Sequence, residues 1–540
     1  MRHRQTFAPT GLGVFFVPLA QDPMQAFMDR NTLFGAILSG ALLTAAFPRL
    51  GMWGAAWVAL VPLLLALRDL PPAGAFRLGL IAGGVHYLTL IYWVAYTLRT
   101  YGHLPWLLSV SALVLLCIYL ALFTAFFAAS LALFRSRPLI LLVAAPVLWT
   151  GLEYLRTFLL TGFPWGLLGY TQADWLPVIQ LADLFGVYGV SFLIVLVNAA
   201  AALALSTVLS SARGPRPAPA AGMGALLLAT AAVALAWGYG HWRIQGLEAL
   251  IRQAPAVKVA VVQGNIPQAE KWEPSFQTAT VQKYARLSMG LRDQRPELVV
   301  WPETAAPFYF GHDAELSLQV AEAVRRSAAS FLIGSPSVTL QAGGALFHNS
   351  AFLLGPEAEV LGKYDKAHLV PFGEYVPLRR WLPFLGKIVA QVGDFVPGPK
   401  GQTLAWGPYR LGVQICYEII FPGLARAMTL NGADLLVNLT NDAWYGRSSA
   451  PFQHFMITVF RAVENRRTLV RAANTGISGF VDPLGRVASA TAIFEDAAVA
   501  RSLPILRERS LYTRWGDVFA GACLVGAALL VAAAGIRRRR

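Results

Sequence analysis

Leu411-Gly-Val-Gln-Ile-Cys-Tyr-Glu-Ile-Ile-Phe-Pro422 reads as a buried strand that ends by delivering one cysteine, Cys416, followed at once by Tyr417 and Glu418. The chain has three cysteines, and the other two, Cys117 and Cys523, lie in long apolar runs. A thiol among polar neighbours at a strand end is where a nucleophile would sit. Taken alone, Cys416 reads more simply as a small buried hydrophobe, the commoner fate of a free cysteine. Distant parts of the chain reverse that reading.

Around this strand, from Ala256 onward, short apolar and β-branched runs alternate with polar helical stretches. The runs include Val257–Gly264, Glu297–Glu303, Phe331–Gly334, Ala351–Leu354, Asp434–Asn438 and Thr468–Ala472, and helical segments such as Glu315–Ser330 and Phe452–Arg467 lie between some of them. That pattern predicts an α/β layered domain of about 250 residues, a common size for one domain. In such sheets chemistry gathers at the carboxyl ends of strands.

Two more residues belong there. Glu303 follows Val299-Val-Trp-Pro302 at the end of a strand, and singly it reads as a helix-entry carboxylate. Lys366 lies in Gly362-Lys-Tyr-Asp-Lys-Ala-His-Leu-Val-Pro-Phe-Gly-Glu-Tyr-Val-Pro377, which singly reads as a solvated loop. Together with Cys416 they supply what acyl transfer needs. The thiolate attacks a carbonyl, the carboxylate moves protons, and the ammonium favours the thiolate and binds the developing oxyanion.

The rest of the chain is membrane-like. Of 540 residues, 56% are hydrophobic and only 14% charged, and the mean hydropathy is +0.53, above the range of soluble domains. The net charge of +15 is not gathered on one soluble segment, which argues against nucleic acid as a partner. Candidate spans of about 20 apolar residues fall at roughly 31–48, 51–68, 77–98, 106–134, 138–155, 183–208 and 220–238, with a last one at 517–536; the very short turn Pro48–Gly51 leaves open whether each of the first two is a full span or a tilted or partial one. Arg30, Arg68, Arg77, Arg135, Arg137, Arg213, Arg216 and the arginines at both ends fall on one side of these spans. Arg49, Arg99 and Arg156 fall on the other. The asymmetry places both termini in the cytoplasm and the α/β domain outside it. The expected organisation is a cytoplasmic tail (1–30), a membrane domain of about seven spans (31–240), the catalytic domain (256–505), a final span (517–536) and a basic tail (537–540). The loop Thr161-Gly-Phe-Pro-Trp-Gly-Leu-Leu-Gly-Tyr170 reads as an interfacial aromatic belt, or else as one wall of a lipid-access groove. Glu153 is an intramembrane or interfacial carboxylate. Three isolated cysteines give no disulfide framework, and the eight histidines show no HExxH, so no metal site is expected.

Trp301-Pro-Glu303, Lys366-Ala-His-Leu-Val-Pro-Phe-Gly-Glu374 and Ile415-Cys-Tyr-Glu418 together resemble the Glu-Lys-Cys triad of the nitrilase, or carbon–nitrogen hydrolase, superfamily. With the multi-span first half, Val262-Gln-Gly-Asn-Ile-Pro-Gln268 and Asn441-Asp-Ala-Trp-Tyr-Gly446, nearly the whole chain resembles the apolipoprotein N-acyltransferases. The resemblance implies a polytopic α-helical membrane domain carrying an α/β nitrilase-like domain, an α-β-β-α sandwich, on the periplasmic side of a bacterial inner membrane. It implies transfer of an acyl chain from a phospholipid to the α-amine of an apolipoprotein's diacylglyceryl-cysteine, through a thioester on Cys416, with Glu303 as base and Lys366 at the oxyanion. It implies no cofactor and a monomer. Glu374, Tyr417 and Glu418 are implied as secondary catalytic or positioning residues, and Trp272, Trp444 and Tyr445 as aromatics at the substrate. For the two carboxylates, fixing loops through backbone hydrogen bonds is an equally good role, and ordinary packing competes for the aromatics. His368 and His454 read as structural. The triad alone also fits a membrane-tethered amidase or nitrilase acting on small amides, although seven spans would serve no purpose there.

Overall fold

The structure, a computed structural model, describes residues 30–209, 218–341, 344–375 and 394–539. The tail before Arg30, most of the loop 210–219 and the end of the basic tail lie outside the described residues.

The outer domain is built on twelve strands. They are β1 (Ala256–Gln263), β2 (Leu298–Val300), β3 (Ser330–Gln341), β4 (Gly344–Leu354), β5 (Val360–Asp365), β6 (Leu404–Trp406), β7 (Tyr409–Ile415), β8 (Leu435–Thr440), β9 (Thr468–Ala473), β10 (Gly479–Val481), β11 (Val487–Ala488) and β12 (Ala497–Pro504). They form two six-stranded mixed sheets, ordered β12-β1-β2-β3-β4-β5 and β11-β10-β9-β8-β7-β6. Strand β1 shows why the layers form. Its Val257, Val259 and Val261 enter the core that both sheets share, while Ala260 and Val262 face helices Pro274–Met289 and Ala314–Ser327. A strand apolar on both faces must be covered on both. The second sheet is covered by helices Pro422–Leu430 and Ala450–Asn465, so the layers run helix, sheet, sheet, helix, as the resemblance implies. The carboxyl ends of β2 and β7, one from each sheet, come to the same rim, where the residues that follow them, Glu303 and Cys416, line one cavity.

The membrane half contains helices Arg30–Ala45, Pro72–Leu90, Trp93–Thr100, Trp106–Leu131, Leu141–Arg156, Val187–Val208 and Pro219–Gln253, and Val518–Arg539 follows the outer domain. Among the described residues, four are long and apolar enough to cross a bilayer, or five if Pro72–Leu90 and Trp93–Thr100, bent by 52°, count as one span. Helices pack where side chains are small. A Cβ on Gly79 would lie 2.6 Å from the Thr124 carbonyl oxygen, and one on Gly83 would lie 2.9 Å from the Ala121 Cα, the close approach that a small-xxx-small stripe permits.

Besides the bend within 77–98, two expected spans, 183–208 and 220–238, differ from what forms, and 51–68, left open by the sequence, does not form a full span. Residues 51–68 are a 3₁₀ turn, Trp53–Trp57, and a six-residue helix, Val61–Ala66. Polar side chains from other helices take backbone groups that a continuous helix would pair internally. The Leu60 N–H donates to Asn198 Oδ1 (2.8 Å), the Leu63 N–H to Ser39 Oγ (2.9 Å), and Asn198 Nδ2 donates to the Ala56 carbonyl (2.9 Å). The segment 183–208 breaks at Gly186, whose φ is +66°. There the N–H of Val187, which opens the next helix, donates to Glu464 of the outer domain (3.0 Å). The 220–238 span runs on as one 35-residue helix to Gln253, well past the about 20 residues a bilayer needs. Its upper turns are fixed by Arg243, which binds Asp183 (2.7 Å) and Glu508 (2.6 Å).

The Thr161–Tyr170 loop is not an exposed belt. Trp165 and Tyr170 are fully buried, and Trp165 Nε1 donates to Gln453 Oε1 of the outer domain (2.8 Å). Both rings carry a polar atom that finds its partner across the joint, from Arg461 in the case of Tyr170 (3.1 Å), so they pack under the α/β layers instead of facing lipid. Glu153 is buried just below, its Oε1 accepting from the Leu168 N–H (2.7 Å).

Candidate active site

Cys416 is the first residue after β7, and its φ of +54° lies in the left-handed region that non-glycine residues avoid. The chain leaves the strand there through the 3₁₀ turn Cys416–Ile420, which turns the thiol toward the rim. Glu303 follows β2 after Trp301-Pro302, and Lys366 follows β5, which runs in the same direction as β2 and β3 and so ends at the same rim.

These three side chains line one cavity of about 220 Å³, together with Lys271, Trp272, Glu374, Trp444 and Tyr445. Its wall also includes Thr97 and Leu98 from the membrane half. Thr97 Oγ1 donates to the Trp444 carbonyl (2.8 Å), which joins that wall to the outer domain. The Tyr445 ring packs edge-on against Trp93 with centroids 4.7 Å apart. All three sequence-predicted aromatics therefore lie in the cavity wall.

Lys366 Nζ is 2.9 Å from Glu374 Oε1 and 3.7 Å from Glu303 Oε1. Burial opposes its charge, but Glu374 and Glu303 outweigh that and hold the ammonium well above the usual lysine range. Asn349 Nδ2, a residue the sequence did not single out, donates to both Glu303 Oε1 and Glu374 Oε1 at 2.8 Å. Glu303 is thus tied by one oxygen, and its Oε2 has no partner among the described residues. A buried carboxylate with one oxygen fixed and the other open is suited to accept a proton. Burial pushes the Cys416 thiol up to about 12, with Glu303 adding to the shift and Lys366 opposing it. Cys416 therefore rests as a thiol, and ionising it would call for a proton acceptor close by.

Tyr417 and Glu418 do not line the cavity. Tyr417 donates through its hydroxyl to the Gly162 carbonyl of the membrane half (3.3 Å). Glu418 accepts from the backbone N–H groups of Ile415 (2.6 Å), Ala367 (2.7 Å) and His368 (3.0 Å), and from the Tyr364 hydroxyl. Of the two roles open to it, its position fits the loop-fixing one. Glu374 does both: Oε2 accepts from the Val370 N–H (2.8 Å) while Oε1 binds Lys366. His454 and Asp442 (2.9 Å), with Arg471 on Asp442 (2.8 Å), form a buried cluster beneath the site. Among the described residues, no group of three or more His, Cys, Asp or Glu could hold a metal ion.

The backbone of Glu303 is wedged against β3. A Cβ on Gly334 would lie 2.4 Å from the Pro302 carbonyl oxygen and 2.7 Å from the Glu303 Cα. Gly334→Ala is expected to displace Glu303 and lower turnover about 100-fold, as a 1 Å misplacement within an active site can. It should also cost about 1–3 kcal/mol of stability by overpacking. Steady-state rates and thermal melting of the variant check both, and wild-type turnover would contradict the wedge.

Two family models match the chain: the apolipoprotein N-acyltransferase N-terminal domain over residues 39–200, and carbon–nitrogen hydrolase over residues 258–502. The apolipoprotein N-acyltransferase of Geobacter metallireducens is 46% identical over 515 residues, covering 95% of this chain and 96% of that one. That of Methylococcus capsulatus is 34% identical, covering 89% and 92%. Among solved structures, an amidase from Nesterenkonia sp. is 20% identical and matches with a TM-score of 0.37 over 49% of this chain and 96% of its own. With both halves matched in order and the relatives aligned almost end to end, the chain belongs to the apolipoprotein N-acyltransferase family.

Proposed function

We propose that the protein transfers an acyl chain from a phospholipid to the α-amine of the N-terminal diacylglyceryl-cysteine of an apolipoprotein, by way of a thioester on Cys416. The observation that carries this reading is that Glu303, Lys366 and Cys416 line one cavity whose wall includes Thr97 and Leu98 of the membrane half. A soluble amide would need no such wall.

In the first half-reaction Glu303 takes the thiol proton as the sulfur attacks the ester carbonyl. Lys366 stabilises the oxyanion, an interaction typically worth about 3 kcal/mol per donor. The carbon–oxygen bond breaks, Glu303 returns the proton to the glycerol oxygen, and a lysophospholipid leaves. In the second half Glu303 takes a proton from the incoming amine. The nitrogen attacks the thioester, the carbon–sulfur bond breaks, and the thiol is regenerated with the amide. A thioester suits this order because amines attack it readily. Glu374 holds Lys366, and Trp272, Trp444 and Tyr445 shape the wall beside the acyl group.

The arginine asymmetry supports both termini in the cytoplasm and the α/β domain in the periplasm, in a bacterial inner membrane. The domain boundaries 31–240, 256–505 and 517–536 follow the same reading, and the working unit is a monomer. Purified protein incubated with phosphatidylethanolamine is expected to gain one acyl mass on the Cys416 peptide, removed by neutral hydroxylamine. Absence of that adduct, with turnover of small amides, would favour the amidase reading.

A further inference from the structure

The cavity holds a second buried lysine that this mechanism has not used. Lys271, on the loop between β1 and helix Pro274–Met289, is 1% exposed. Its Nζ donates to the main-chain carbonyl of Glu303 at 2.8 Å, and among the described residues that is its one hydrogen-bond acceptor. It lines the same cavity as Cys416. A lysine is almost never fully buried without a carboxylate partner. This one sits on a carbonyl oxygen, so the burial of its charge has to be explained by the site.

The charges that face Cys416 supply the explanation. Two carboxyl groups, Glu303 and Glu374, face the single cation Lys366 before the thiol loses its proton. From the β8 side, Asp442 is closed into its pair with Arg471. Burial keeps His454, in helix Ala450–Asn465, and Tyr445 uncharged. A thiolate or acyl oxyanion formed there would add a further negative charge in a poorly screened site. Lys271 sets a second ammonium group against these two carboxyl groups. Burial pulls its ammonium down to about 8, with Glu303 and Cys416 pulling the other way.

We propose that Lys271 is a second cation of the acyl-transfer site, a positioning residue that holds Glu303 by its main chain and balances the charge that develops on Cys416 and on the acyl oxyanion. Because it precedes Trp272, it also couples the loop bearing that aromatic to the base. The inference rests on Cys416 being the nucleophile.

The test uses the full-length protein in detergent with Lys271→Gln, which keeps a donor for the Glu303 carbonyl, and Lys271→Arg, which keeps the charge. Alkylation of Cys416 by iodoacetamide, read by mass spectrometry of its peptide, follows the thiolate fraction. It should slow about tenfold in K271Q at pH 7, the effect of one pKa unit on a thiol well below its pKa. Thioester formation from phosphatidylethanolamine should slow about 100-fold in kcat with KM unchanged. K271R should stay within about threefold on both. Wild-type alkylation in a folded K271Q, or a folded K271R as slow as K271Q, overturns the proposal. If K271Q fails to fold, K271R decides alone, its activity supporting the proposal and its inactivity sinking it. A wild-type protein whose Cys416 takes no acyl group would instead overturn the thioester reading itself.

Discussion

Cys416→Ala is expected to abolish acyl transfer, lowering the rate by at least about 10⁴-fold, while the protein folds as before. In the proposed mechanism Cys416 is the covalent nucleophile, so its removal takes away the path through the thioester, and losses of that size are typical of such deletions. Stability should barely change. Cys416 is 6% exposed and its strained φ of +54° belongs to the backbone, and alanine meets the same strain as cysteine there. The sulfur removed is small, so the cavity term stays near about 1 kcal/mol. Intact-protein mass spectrometry after incubation with phosphatidylethanolamine should show no acyl adduct, and thermal melting should match the wild type. Cys416→Ser separates geometry from chemistry. Its hydroxyl can accept an acyl group only as an oxygen ester, which neutral hydroxylamine leaves in place. In cells, C416A should leave lipoproteins without N-acylation. Normal N-acylation in that variant would mean that the α/β domain is a scaffold and that the chemistry lies elsewhere.

What the sequence makes legible follows from how locally each feature is determined. Strands β1, β7, β8 and β9 are announced by runs of valine, leucine and isoleucine that no helix periodicity fits, and they form within one or two residues of the expected places. The triad is legible because each member stands in a local motif at a strand end. Lys271 is not, since Lys271-Trp-Glu273 looks like a polar loop, and its burial is created by Glu303, 32 positions away. Asn349 is hidden in the same way inside β4. In the membrane half hydropathy finds apolar segments but not their breaks. Nothing near residues 51–68 signals that Asn198 will take their backbone groups. Nothing in the Thr161–Tyr170 loop signals that Gln453 will bury Trp165. Polar partners distant in sequence decide both, and composition does not register them.

Glu418→Gln is expected to reduce turnover about 100-fold and to destabilise the outer domain by roughly 2–4 kcal/mol. Glu418 is fully buried and joins two ends of the site. One oxygen accepts from the N–H groups of Ala367 and His368, next to Lys366, and the other accepts from the N–H of Ile415, next to Cys416. The clamp therefore sets the spacing between nucleophile and cation. A glutamine must turn its NH₂ toward one of these donors. In one orientation the Ile415 N–H is orphaned, in the other the Ala367 and His368 N–H groups are, and each buried unpaired donor costs about 1–3 kcal/mol. For a domain of this size the melting temperature should fall by roughly 5–12 °C. Relaxation of the clamp lets Cys416 and Lys366 drift apart, and misplacement near 1 Å accounts for the activity loss. A role for Glu418 as a proton carrier makes the opposite forecast: turnover collapses while melting stays at the wild-type temperature, because the amide would then be tolerated structurally. Scanning calorimetry beside a single-turnover acylation assay decides between them. A variant with wild-type melting and activity within threefold of the parent would show that the strand end and the lysine loop are held by something else.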